Sequence, residues 1–218
     1  MAMFVSKRMT PNPVTVPPTM TVSEASGLMK DNKFRRLPVV DGGKLVGIVT
    51  DRDLREVSPS PATTLSIFEL NYLLAKMQVK EIMKTDVVTI DADATIEEAA
   101  LLMYTHKIGG LIVVDATGGV VGVITETDIF KCFVDVMGLT EGRTRLTLEF
   151  DDKIGILHDI SGVFKEMGIN ILSMATHGTE GGRAEMVIRA DVADISALSD
   201  KLAAIGYPVS HVVQIGTR

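Results

Sequence analysis

Two stretches of the chain bring a threonine hydroxyl, an aspartate carboxylate and the start of a helix to one point. The first is Gly47-Ile48-Val49-Thr50-Asp51-Arg52-Asp53 and the second is Gly122-Val123-Ile124-Thr125-Glu126-Thr127-Asp128. β-Branched residues before the threonine favour a strand. A threonine followed three residues later by an acid is a helix-start signal. A carboxylate accepts hydrogen bonds from two hydroxyls, and the free N–H groups of a helix start favour phosphate, so such a point suits the ribose and phosphates of a nucleotide. Thr-x-x-Asp is equally a plain capping device, worth about 1 kcal/mol.

Cations gather beside one motif only. Lys33, Arg35, Arg36, Arg52 and Arg55 stand where the second half of the repeat has Lys107, Gly109, Gly110, Thr127 and Phe130. Guanidinium groups grip phosphate oxygens in pairs, which gives Arg35, Arg36 and Arg52 a binding role; the other reading is a solvated face. Gly109 and Gly110 suit close approach of a base to backbone, or simply a turn. Catalytic signals are weak. His106, His158, His177 and His211 are dispersed without metal-ligand spacing, and Cys132 has no partner base and reads as buried. Neither a phosphate-binding Walker loop nor a Gly-x-Ser-x-Gly motif is present.

The elements that must position these groups come in duplicate. An offset of 74 aligns Val5 with Val79, Met9 with Met83, Thr15 with Thr89, Thr21 with Thr95, Glu24 with Glu98 and Met29 with Met103; one inserted residue makes it 75 for Gly47 and Gly122. Each unit reads β-α-β-β-α. Val14-Thr15-Val16 and Val88-Thr89-Ile90 are short strands. Thr21 with Glu24, and Thr95 with Glu98, are capping boxes. Leu37–Val40 and Leu111–Val114 begin hairpins that close at Thr50 and Thr125. The expected domains span 5–57 and 79–137, with a linker at 58–78 that carries its own helix from Ser66. A third segment, 143–218, has no copy of the repeat. It reads β-α-β-β-α-β: a strand at Arg145–Phe150, a helix capped by Asp152 with Ile154, Leu157 and Phe164 on its apolar stripe, strands at Ile169–Ala175 and Ala184–Ala190, a helix through Leu198 and Leu202, and a last strand from Val209. The predicted fold class is α+β, the third segment being a ferredoxin-like antiparallel sheet with helices on one face.

Gly-h-h-Thr-x-x-Asp following Leu37-Pro38-Val39-Val40-Asp41 and Leu111-Ile112-Val113-Val114-Asp115 resembles the cystathionine-β-synthase (CBS) domain, here as a tandem pair. Asp152-Lys153-Ile154-Gly155-Ile156-Leu157 and Gly168-Ile169-Asn170-Ile171 resemble an ACT domain, with Ile154 where that family usually has proline. The combination is similar to acetoin-utilisation proteins of the AcuB type. The CBS resemblance implies an adenine nucleotide between the repeats, with Asp53 and Asp128 holding ribose hydroxyls, Thr50 and Thr125 beside ribose or phosphate, and the strands at Thr15 and Thr89 edging the base. Lys107 and Gly109 complete the expected nucleotide-binding set. The ACT resemblance implies a small-molecule site, often for an amino acid, at Asp152, Gly155, Leu157 and Asn170. Those four residues read equally as a cap, a packing glycine and a turn.

Composition narrows the function. A net charge of −6, no Trp and 5% aromatic content argue against nucleic acid. No run of 18 apolar residues implies a membrane span, and Pro, Asn and Arg interrupt the N-terminal stretch where a signal peptide would need an apolar core. A single cysteine fits a reducing cytoplasm. The sequence therefore reads as a cytoplasmic, non-enzymatic regulator, with an adenine nucleotide as regulatory ligand and no catalytic cofactor. A homodimer through its Met-rich helices is expected, and the ACT segment senses an amino acid or metabolite or mainly dimerises. The alternative is an interaction module that docks on a partner enzyme without binding nucleotide.

Overall fold

The computed structural model describes residues 3–57, 76–139, 144–178, 180–192 and 194–214. The expected linker helix from Ser66 lies outside them. The chain forms two compact units, 1–130 and 131–218.

In the first unit the elements are β1 (Thr10–Pro11), α1 (Val22–Asn32), β2 (Arg36–Asp41), β3 (Lys44–Thr50), α2 (Asp51–Glu56), β4 (Thr89–Asp91), α3 (Ile96–His106), β5 (Gly110–Val114), β6 (Val120–Thr125) and α4 (Glu126–Val136), which continues past the unit's edge. Both predicted capping boxes form: Thr21 caps α1 and Thr95 caps α3, each with its glutamate reaching back to the cap N–H. Each helix ends on a lysine in the left-handed region, Lys33 at φ 57° and Lys107 at φ 54°. Sheet order is β1-β6-β5-β4, and β2 and β3 form a separate hairpin. The expected strand at 14–16 reduces to one parallel bridge, Val16 to Val39, whereas its repeat-mate forms β4.

The leader of each repeat packs on the other repeat. Thr10 and Pro11 pair with Val123 and Gly122 of β6, and Lys84 bridges Ile48 of β3. The Val5 N–H donates to Ala94 O at 2.9 Å, and Val79 N–H to Met20 O at 2.8 Å. Val79 is fully buried in the first repeat's core with Val16, Ala25, Leu37, Val39 and Val49; burying a valine completely contributes about 1.5–3 kcal/mol. The motif glycines have their reason here. A Cβ on Gly47 would lie 2.6 Å from Met83 Sδ and 3.0 Å from Lys84 O, and one on Gly122 would lie 2.2 Å from Met9 Sδ.

The second unit contains the tail of α4, β7 (Thr144–Asp151), α5 (Ile156–Glu166), β8 (Ile171–Gly178), β9 (Arg183–Ala190), α6 (Ser196–Ala204) and β10 (Val209–Gln214), with antiparallel order β10-β7-β9-β8. Leu146, Leu148, Phe150, Met186 and Ile188 of the sheet pack with Ile156, Ile160, Val163, Phe164, Leu198 and Leu202 of the helices. The split β-α-β prediction holds, with one correction in its first helix. Asp152 does not cap it. Gly155, at φ 98°, is the N-cap and gives no side-chain bond. This left-handed residue turns the chain, so the buried stripe begins at Ile156, while Ile154 is fully exposed and Leu157 is 56% exposed.

Candidate functional site

Each motif threonine stands at the start of the helix after its strand, and Thr50 caps α2. Thr50 N–H and Oγ1 donate to Asp53 Oδ2 at 2.8 and 2.6 Å, and Asp53 N–H returns a bond to Thr50 Oγ1. In the second repeat Thr125 N–H and Oγ1 donate to Asp128 Oδ2 at 2.8 and 2.7 Å. One oxygen of each aspartate is thus committed to the helix start, which leaves Oδ1 for any other work.

The two Oδ1 atoms have different surroundings. Asp53 is 5% exposed, and Lys84 Nζ stands 3.4 Å from its Oδ1. Lys84 occupies the repeat position of Thr10. Asp128 is half-buried, and its Oδ1 has no partner among the described residues.

A cavity of about 510 Å³ opens where the repeats meet. Thr10, Pro13 and Val14 come from the first repeat's leader. Lys33, Phe34, Arg35 and Arg36 come from the turn between α1 and β2, and Gly109, Val123, Thr125, Glu126 and Thr127 from the second repeat. The first repeat's cations therefore face the second repeat's motif. Arg36 Nη2 donates to Gly109 O at 2.8 Å. A Cβ on Gly110, the repeat-mate of Arg36, would collide with the Arg36 guanidinium, so a side chain here would displace that group. Burial lowers the Arg36 pKa from its usual value, while nearby Glu126 acts in the opposite direction. The result is a cavity whose lining combines the apolar Pro13, Val14, Phe34 and Val123 with the cations of Lys33, Arg35 and Arg36 and the hydroxyls of Thr10, Thr125 and Thr127. Such a cavity accepts a flat apolar ring and an anionic tail together.

The structure brings Arg35, Arg36, Gly109 and Thr125 to this cavity. Asp128 sits one residue beyond the Thr125–Thr127 wall and holds the helix start in place. Thr50 and Asp53 form the closed counterpart with Lys84. Arg52 is on the outer side of α2, 78% exposed and paired with Glu56 at 3.0 Å; Arg55 pairs with Asp51 in the same way. Thr15 is exposed, and Thr89 lies in β4 opposite Ile112. Lys107 lines a different depression, between α3 and α4, with Tyr104, Glu126 and Phe130. Sequence reasoning missed Thr10, Phe34 and Glu126. The alignment of Thr10 with Lys84 was available, but not which repeat each leader joins.

In the second unit, Asp152, Gly155 and Leu157 line a shallow cavity of about 310 Å³ with Phe150, Thr176 and Met186; Asn170 is exposed elsewhere. Asp159, on α5, accepts from the buried Tyr207 hydroxyl at 2.9 Å, and this bond foremost, then His158, holds its carboxyl below the usual carboxylate range. No group of metal-ligating side chains occurs among the described residues, and no helix among them is long and apolar enough to cross a membrane.

This architecture matches known families. Residues 5–60 and 79–135 match the CBS domain, and 144–207 match the ACT domain. The chain belongs to the CBS-domain family, as a tandem pair followed by an ACT domain, both regulatory modules. It is 37% identical to protein MJ1225 of Methanocaldococcus jannaschii over 128 residues, 56% of this chain and 46% of that protein. The chain thus spans less than half the length of this relative. A solved structure of CBSX2 in complex with AMP is similar at TM-score 0.52 and 28% identity, over 64% of this chain and 100% of that one. The acetoin-utilisation protein AcuB from Vibrio cholerae, described as putative for that role, is similar at TM-score 0.52 and 33% identity, over 64% of this chain and 96% of that one.

Proposed function

We propose that the chain is a regulatory sensor that binds an adenine nucleotide in the cleft between its CBS repeats, one per chain, with Thr125 and Asp128 toward ribose and Arg35 and Arg36 toward phosphate. The observation that carries this reading is the meeting of first-repeat cations with the second-repeat motif around one 510 Å³ cavity. The AMP held by CBSX2 supports it. Thr50 and Asp53, the matching pair of the first repeat, are closed in this structure by Lys84 and take no nucleotide. Binding one packing of the repeats better than another would bias the protein toward that packing. The chain acts in the cytoplasm as a non-enzymatic homodimer. Its ACT cavity takes an amino acid or similar metabolite, and likeness to AcuB favours a place in acetoin utilisation.

Calorimetry across adenosine, AMP, ADP, ATP and S-adenosylmethionine tests the nucleotide reading. Affinity rises with phosphate number and falls with added salt, because partly exposed charges are screened. Tightest binding of S-adenosylmethionine, or unchanged ATP affinity in the Arg35→Ala, Arg36→Ala double variant, refutes the phosphate assignment. A second reading, docking on a partner enzyme, is favoured by the exposed apolar side chains Leu101, Tyr104 and Phe130 on α3 and α4.

A further inference from the structure

On the face of the ACT sheet opposite α5 and α6 a charge is buried. Arg189 of β9 is 6% exposed, and its Nε and Nη1 have no hydrogen-bond partner. Its cross-strand neighbour on β7 is Arg145, and on β8 it is Ser173. Alternation along a strand places all three on the face opposite Leu146 and Ile188, which point into the helix-covered core. Arg145 Nη1 donates to Thr147 Oγ1 at 2.7 Å, and Thr147 is itself buried on this face. Ser173 Oγ donates to Met137 O at 2.8 Å, so the turn after α4 lies against the same row. Gly138 of that turn sits close enough that an added Cβ would meet Ser173 Oγ at 3.5 Å and Arg189 Cδ at 3.9 Å.

This arrangement is costly as it stands. Like charges directly opposite on neighbouring strands repel. A buried guanidinium without acceptors loses water and gains nothing in return. Among the described residues no carboxylate pairs with either arginine. The repulsion and the burial both lower the Arg189 pKa, burial being the larger cause. An oxyanion would remove both penalties. It would accept from the free Arg189 nitrogens in the paired geometry that guanidinium favours, and would lie between two positive charges.

We propose that Arg189 and Arg145, on the face of the ACT sheet opposite α5 and α6, form a binding site for a small oxyanion, a carboxylate or phosphoryl group of a metabolite. Thr147 supplies a hydroxyl beside it, and Ser173, whose own O–H donates to Met137 O, holds the turn at Met137–Gly138 against the same row. The site is separate from the Asp152–Leu157 cavity, whose lining comes from the other face and the loop before α5. The burial of Arg189 limits the ligand to a compact group at this point.

The test uses the full chain in a chloride buffer and reads thermal unfolding against inorganic phosphate and acetate. Wild type gains several degrees with at least one of the two, and the preferred anion separates phosphoryl from carboxylate recognition. Arg189→Met loses that gain and, without anion, melts at or above wild type, because an uncompensated buried charge has gone. Arg145→Gln keeps the fold and weakens the anion response, a check should the methionine variant fold poorly. Comparing wild type with these variants removes any contribution of phosphate binding at Arg35 and Arg36. An equal anion response in wild type and Arg189→Met overturns the site. So does a wild type that ignores both anions.

Discussion

Replacing Asp128 and Asp53 by alanine, one at a time, separates capping from ligand binding. Both aspartates give Oδ2 to the same two donors of the preceding threonine, at 2.6 to 2.8 Å. Each variant therefore loses a similar cap, about 1 kcal/mol of stability. Their Oδ1 atoms differ. That of Asp53 faces Lys84 at 3.4 Å, and this lysine is 66% exposed, so losing the pair adds well under 1 kcal/mol. That of Asp128 is available to ribose. One charge-assisted contact is worth about 1.5–3 kcal/mol, so Asp128→Ala weakens nucleotide binding roughly 10- to 150-fold. Asp53→Ala changes it less than about threefold. Calorimetry with AMP and ATP measures affinity, and urea unfolding without ligand confirms matched stability losses. Equal affinity in wild type and Asp128→Ala, or equal losses of affinity in both variants, would falsify the ribose assignment and leave the motif as a cap.

Three further outcomes follow from the packing. Gly122→Ala destabilises by about 1–3 kcal/mol through contact with Met9, and Met9→Ala offsets at least 1 kcal/mol of this in the double variant; simple additivity in urea melts would contradict the close approach. Tyr207→Phe raises the Asp159 pKa toward the ordinary range, read by NMR titration of the carboxyl. Because Asp159 titrates low in the folded state, its stabilisation is complete above about pH 4, the unfolded value, and fades as pH falls through the folded one; the variant loses that contribution, and an unmoved titration would show that the hydroxyl is not the cause. Light scattering finds a dimer at micromolar concentration, and a monomeric wild type would remove the homodimer from the reading.

Much of the frame was legible because it rests on local rules. The capping boxes at Thr21 and Thr95 need only four residues each, and the hairpins before Thr50 and Thr125 need only alternation and a turn. The offset that pairs Met9 with Met83 and Gly47 with Gly122 even contains the packing solution, since each methionine sits over the other repeat's glycine. What a linear offset lacks is partnership. It says that two leaders are alike, not that they trade places. Arg35 and Arg36 seemed to belong to the nearby Asp53, yet the fold turns them toward Thr125. Arg52 adjoins Asp53 in sequence, but successive helical residues point about 100° apart, and it meets Glu56 instead. In the ACT domain, one left-handed glycine displaced the apolar stripe that Ile154 and Leu157 had suggested.

The exchanged leaders make the two CBS repeats one indivisible object. During synthesis the first repeat emerges before Val79, a buried member of its core that lies on the far side of the linker. The second repeat in turn takes its edge strand from Thr10 and Pro11, which were made first and must wait. A chain cut between residues 58 and 75 would still be clasped through both hooks, Thr10 to Val123 and Lys84 to Ile48. Two chains that trade second repeats would rebuild the same clasp between molecules, so the junction is also a latent route to entangled pairs.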